Sequence, residues 1–111
     1  MTDELSGEDA KLVTLARGAR GRIGAPEGAA IRDEMGRTYS GATINSGALQ
    51  LTALQLAVAQ AIAAGASGVE CAVVVGSSDD ADIDCVAEIA GAGVPVLLCS
   101  SDGSIRSRLT T

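Results

Sequence analysis

The sequence predicts one three-layer α/β/α domain built on a mixed central sheet, with its elements in the order α-β-β-α-β-α-β. Three observations carry that prediction. "VECAVVVG" and "VPVLLCS" are short, continuous apolar runs, the pattern of central strands covered on both faces. "LTALQLAVAQAIAA" has apolar residues on nearly every face, so it reads as an enclosed helix. The chain has 111 residues, 47% of them hydrophobic, which suffices for a single core and not for two.

The elements follow in order. In "SGEDAKLVTLARGAR", Ser6 and the acidic pair Glu8–Asp9 precede an apolar stripe at Leu12, Val13 and Ala16. That is a capped amphipathic helix, predicted to end near Gly18. "AAIRDEMGRTYSGATI" places two short runs around the turn signal "DEMG", predicting a hairpin over residues 28–33 and 37–42. The enclosed helix is predicted over 51–64, with Gly65 as its stop. Its apolar breadth calls for cover from a sheet and a neighbour, or from a partner chain, so a charge at Ala57 or Ala61 is expected to break an assembly or block folding. "SSDDADIDCVAEIAGAG" reads as an acidic loop leading into a helix over 82–90. Residues 1–111 form one domain, with 1–6 and the polar 103–111 expected as loose tails.

Composition excludes several functions. A net charge of −6 argues against nucleic acid as a partner, because that affinity rests on Lys and Arg neutralising phosphates. The run Arg17, Arg20 and Arg22 suits a helix end, where cations face the negative pole of the dipole. Gln55 and Gln60 interrupt the longest apolar stretch, so no membrane span is expected. The acidic start "MTDELSGEDAK" is unlike a signal peptide, and the three cysteines form no C-x-x-C pair. A cytoplasmic location with reduced thiols is the expectation.

The segments together resemble the small cytidine deaminases and their blasticidin-deaminase relatives. "APEGAAIRDEMGRTYSG" is similar to that family's Pro-x-Gly-Ala-Ala segment and its hairpin. "ALQLTALQLAVAQAIAAG" is similar to the stretch holding its Cys-Ala-Glu motif, and "VECAVVVGSSDDADIDCVAEIAGAGVPVLLCS" to its strand, zinc-loop helix and following strand. The likeness spans residues 10 to 100. It implies a cytidine-deaminase-like fold in which zinc activates a water and a glutamate moves its proton to the leaving amine. It also implies oligomers, typically tetramers, packed through the helix at 51–64.

Carried over position by position, the resemblance puts Thr52 at the first zinc ligand and Leu54 at the catalytic glutamate. Asp82 and Cys85 fall at the second and third ligands. On the substrate side, Ala25 falls at the base-contacting Phe, and Thr43 and Asn45 at the Asn and Glu of the sugar-binding stretch. One thiolate of three survives, and no group at 54 carries a proton. Thr52 reads equally as a helix N-cap, Leu54 as apolar filling, and Asp79, Asp80, Asp82 and Asp84 as caps of a helix N-terminus. Cys71 and Cys99 read as inert core residues, while Cys85 beside a helix N-terminus is a candidate reactive thiol.

The expectation is a pseudoenzyme: a degenerate relative of zinc-dependent deaminases, without catalytic residues or cofactor. It would act as a homo-oligomeric dimer or tetramer that binds a nucleoside-like small molecule or another protein. Two alternatives stand beside it. One is a deaminase with a non-standard zinc site at Cys85, Asp82 or Asp84, and Thr52; the other is a regulatory subunit of mixed deaminase oligomers.

Overall fold

The computed structural model describes residues 5–111. Ser6 accepts a hydrogen bond from the Asp9 amide at 3.0 Å and opens α1, Gly7–Ile23. The helix continues past Gly18 and stops at Gly24, whose φ of 64° suits a residue without Cβ. Arg20 and Arg22 occupy its last turn, where their charge complements the dipole.

The predicted hairpin forms as β1 (Gly28–Asp33) and β2 (Thr38–Ala42), antiparallel with Ala30 opposite Ser40. Its turn is held by the fully buried Asp33. Oδ1 accepts from the Met35 and Arg37 amides, each at 2.9 Å, and Oδ2 from Arg37 Nε at 2.7 Å and Tyr39 OH at 2.9 Å. Burial pushes the Asp33 pKa up, but these bonds outweigh it and the carboxyl sits below its ordinary value. A second, smaller hairpin follows, β3 (Ile44–Ser46) and β4 (Leu49–Leu51), which the predicted order lacks. Then come α2 (Ala53–Ala63), β5 (Val69–Val75), α3 (Ile83–Ala90), β6 (Pro95–Cys99) and β7 (Ile105–Thr110).

The main sheet runs β2-β1-β5-β6-β7, with β5 and β6 parallel and the other neighbours antiparallel. The parallel pair follows from the crossover through α3. Alternation along each central strand divides the core in two. Ala30, Cys71, Val73, Val75, Leu97 and Cys99 face Leu12, Val13 and Ala16 of α1. Ala29, Ile31, Ala72, Val74, Val96 and Leu98 face the other way, onto α2 and Val86 of α3. Two glycines permit this closeness: a Cβ on Gly28 would lie 2.0 Å from the Ala16 carbonyl oxygen, and one on Gly41 2.9 Å from the Leu56 side chain.

One expectation needs correction. The predicted tail at 103–111 is in large part β7, antiparallel to β6 with Leu97 opposite Arg108. Ile105, Ser107 and Leu109 turn toward the protein and the residues between them outward, an edge strand disguised by its polar half. At the other end, Ser6 caps α1, and residues 1–4 lie outside the described residues. On α2, Ala57 and Ala61 are fully buried against the chain's own sheet, which bears on the folding branch of the expectation for a charge there. The outward face of α2 carries Ala59, Gln60, Ile62 and Ala63.

Candidate functional site

The N-termini of α2 and α3 meet beside the end of β5, and side-chain and main-chain hydrogen bonds link the residues there. Thr52 Oγ1 accepts from the Gln55 amide and Gln55 Oε1 from the Thr52 amide, both at 3.0 Å, a complete capping box. The Gln55 side chain then spans to the other helix, donating from Nε2 to Asp82 Oδ2 at 2.9 Å. Cys85 donates Sγ–H to the Asp82 carbonyl oxygen at 3.0 Å. Asp82 occupies the N-cap position of α3 without accepting a side-chain capping bond. Its carboxylate serves Gln55, where a cap to its own helix was expected.

The cysteine expectation is likewise revised. Burial, reinforced by the charge of Asp82, pushes the Cys85 thiol up to about 11 despite bonds from the backbone amides at 85 and 86. A helix of only eight residues does not offset that desolvation, so the group is a thiol at neutral pH. Cys71, buried on β5, is pushed up to about 12 by the same cause.

Thr52, Leu54 and Asp82 share a cavity of about 330 Å³ with Glu27, Val74, Ser78, Asp80 and Ala81. Leu54 is 2% exposed and belongs to the core beneath α2. Cys85 is not among the lining residues and faces a separate depression with Asp84, Gln55 and Ile62. Of the substrate-side positions, Thr43 and Asn45 share a separate depression with Thr52 and Gln55. Thr43 Oγ1 is engaged with the Glu27 backbone, accepting from its amide at 3.2 Å and donating to its carbonyl at 3.3 Å. Asn45 is exposed on β3. Ala25 is buried with Ala19 and Ala42, away from the cavity.

Sequence reasoning passed over two residues that matter here. Gln55 was read only as a break in an apolar run; its place three residues after Thr52 is the capping-box signal that marks it. Glu27 lies within a quoted segment, directly before the buried strand β1. Burial raises its pKa, opposed by bonds from Ser78 and the charge of Arg106. No sequence signal announces that its side chain turns into the cavity.

Of the residues that the family resemblance aligns with zinc ligands, Thr52 offers a neutral hydroxyl already engaged in a helix cap, and the Asp82 carboxylate is bonded to Gln55. Among the described residues, no three His, Cys, Asp or Glu side chains converge as a metal site requires. No helix among them is long and apolar enough to cross a membrane.

The α/β/α sandwich and paired helix N-termini define the class. A model of the cytidine deaminase-like family matches residues 5–103. The chain belongs to the cytidine deaminase-like family. Its fold is similar to that of cytidine deaminase from Burkholderia pseudomallei, with a TM-score of 0.74 at 21% identity, covering 96% of this chain and 93% of that one. Cytidine deaminase from Mycobacterium leprae gives a TM-score of 0.66 at 20% identity, covering 96% and 94%. A comparison of the sequence with curated proteins finds no match.

Proposed function

We propose that the protein is a catalytically degenerate member of its family that serves as a small-molecule-binding module without catalytic zinc. The observation that carries this reading is the set of hydrogen bonds among Thr52, Gln55, Asp82 and Cys85, which engages all three residues that the family resemblance aligns with zinc ligands. Leu54 supports it from the other side: a hydrocarbon at the cavity wall moves no proton, and loss of a general acid–base group costs about 10²–10⁴-fold in rate. The remaining space still has the mixed polar and apolar lining of a ligand site.

Three measurements on purified protein test this. Elemental analysis should find far less than one zinc per chain. Cytidine turnover, followed by ultraviolet absorbance with excess zinc, should be at background. A full zinc equivalent lost on Cys85→Ala, or robust turnover, would establish the alternative of a deaminase with a non-standard metal site. Co-purification of a zinc-bearing homologue would favour the regulatory-subunit alternative.

In the same reading, copies associate through the outward face of α2, where Ile62 is 49% exposed between Ala59 and Ala63. Light scattering should report a dimer or tetramer, and Ile62→Glu should dissociate it while leaving the fold intact. A stable monomer of the unmodified chain would refute the association.

A further inference from the structure

A second cavity, of about 330 Å³, opens at the carboxyl ends of the parallel strands β5 and β6, beside the last turn of α1. Arg20, Gly76, Ser77, Ser100, Ser101 and Arg106 line it, and it shares none of them with the cavity at the head of α2. No lining residue is acidic. In a chain of net charge −6, two guanidinium groups at one cavity are a local reversal of sign. Crevices outside the carboxyl ends of strands are where open α/β sheets take ligands.

Hydrogen-bond accounting leaves this cavity rich in donors and poor in acceptors. The main-chain carbonyls of Gly76, Ser100 and Ser101 are all taken, and so are those of Pro26 and Ser78 beside them. Arg106 Nη2 donates to Gly76 (at 3.2 Å) and Ser78, Arg20 Nε to Pro26 at 3.2 Å, and Arg17 Nε to Ser101 at 3.1 Å. The Gly103 amide donates to Ser100 at 2.8 Å. On the other side, both Nη groups of Arg20 and Nε of Arg106 have no partner among the described residues. The hydroxyls of Ser77, Ser100 and Ser101 have none among them either. The two carboxylates nearby do not restore the balance. Asp102 turns into its own loop, accepting from the Ser104 amide at 2.9 Å and the Ser104 hydroxyl at 2.7 Å. Asp79 pairs with Arg106 Nη1 at 2.6 Å from a side chain that is 94% exposed, a position in which water competes for the pair.

We propose that this cavity binds a phosphate-type oxyanion, with Arg20 and Arg106 as the paired cations and the serine hydroxyls as neutral donors. A phosphate group supplies strong acceptor oxygens and negative charge, the two things the cavity lacks. Its donors arrive from several sides: Arg20 from α1, Arg106 from β7, and the serines from the segments that follow β5 and β6. That spread suits the tetrahedral oxygens of a phosphate better than the planar pair of a carboxylate. The frame is held by the main chain. The Gly76 amide donates to the Cys99 carbonyl at 2.9 Å and the Ser100 amide to the Ser104 carbonyl at 2.8 Å, which keeps the two strand ends side by side. Asp79 is a resident competitor, a carboxylate on Arg106 that a bound oxyanion displaces into solvent. The site stands independently of the role given to the cavity at α2.

The test uses the full chain in a chloride buffer at pH 8, with inorganic phosphate, phenyl phosphate and benzoate as probes. Calorimetry should give saturable binding of one phosphate group per chain, with benzoate weaker than phenyl phosphate by about tenfold or more. Tighter binding of phenyl phosphate assigns the site to a phosphorylated molecule, and equal or tighter binding of inorganic phosphate assigns it to the free ion. Arg20→Gln should weaken both by about tenfold or more, whereas Arg22→Gln, in the same last turn of α1 but outside the lining, should leave them unchanged. Asp79→Asn should tighten binding, because it frees Nη1 of Arg106 and removes a like charge. Amide resonances of Ser77 and Ser100 should shift when phosphate is added to the unmodified chain, a readout that does not depend on how well any variant folds. The proposal is overturned by absence of saturation with both phosphate probes, or by shifts confined to other residues. It is overturned equally by an Arg20→Gln loss no greater than that of Arg22→Gln, by weaker binding in Asp79→Asn, or by benzoate binding as tightly as phenyl phosphate.

Discussion

Replacing Leu54 by Glu puts a carboxyl group back where family resemblance expects one, and the structure determines what it costs. Leu54 is 2% exposed and packs in the core beneath α2. Losing its apolar burial costs about 1.5–3 kcal/mol. A neutral carboxyl buried there without an assigned partner adds about 1–3 kcal/mol. The total, about 2.5–6 kcal/mol, corresponds at roughly 4 °C per kcal/mol to a fall in Tm of about 10–24 °C for a domain of this size. Ionisation makes matters worse, because the cavity lining already holds Glu27, Asp80 and Asp82. Desolvation and like charge both raise the pKa of the new group in the folded state above its unfolded value of about 4.3. The unfolded chain then releases its proton first, so the variant loses stability as pH rises from about 4 through the folded pKa. Each unit of that shift is worth about 1.4 kcal/mol. Thermal melts followed by circular dichroism at pH 5 and pH 8 should therefore show a larger deficit at pH 8, relative to the unmodified chain at each pH. Leu54→Met, which conserves volume, should cost less than about 1.5 kcal/mol at both. A Leu54→Glu variant as stable as Leu54→Met, or one less impaired at pH 8, would refute the assignment of Leu54 as a core residue of an acidic cavity.

Three further outcomes are expected. Thr52→Ala removes the acceptor of the capping box and should cost about 1 kcal/mol, with amide exchange accelerating in the first turn of α2; unchanged exchange there would contradict the cap. Native Cys85, pushed up to about 11, should react with iodoacetamide at pH 7.5 on the order of a hundredfold more slowly than a free thiol. Rapid alkylation of one cysteine, located by mass spectrometry at position 85, would restore the reactive-thiol reading. Asp33→Asn should lower Tm at pH 7, since the wild-type carboxyl is held below its ordinary value and its stabilisation is fully present above about pH 4. That advantage disappears as pH falls through the folded pKa, so the gap between the two melting temperatures should narrow progressively as pH falls below about 4. A gap of constant size across that range would exclude the charge as its source.

Much of the scaffold was legible along the chain because its signals are local. Ser6 and Thr52 announce helix starts through bonds that reach only three residues, and "DEMG" marks a turn between runs whose strands the structure bounds at Gly28–Asp33 and Thr38–Ala42. The continuous apolar runs of β5 and β6 identify strands covered on both faces, and the helices on either side supply that cover. The short hairpin β3–β4 and the edge strand β7 were not legible. Both are half polar, and β7 is ordered by pairing with β6 and by contacts from Thr111 to Val94 and Gly91, partners that are distant in sequence.

The sequence by itself determined the layer order and the central strands, because each depends on residue type and near-neighbour spacing; that Leu54, Thr52 and Asp82 are replacements of a proton-carrying group and thiolates is what the family resemblance implies. Only the tertiary structure decided what those replacements do. Gln55, paired with Thr52 in a capping box, reaches Asp82 across 27 positions of sequence, and burial pushes the Cys85 thiol up to about 11. It also decided that Glu27, one residue ahead of a buried strand, turns beside Gly76 into an acidic cavity with one oxygen unpaired. Desolvation and long-range pairing depend on what surrounds a side chain in space, and a linear pattern does not contain that.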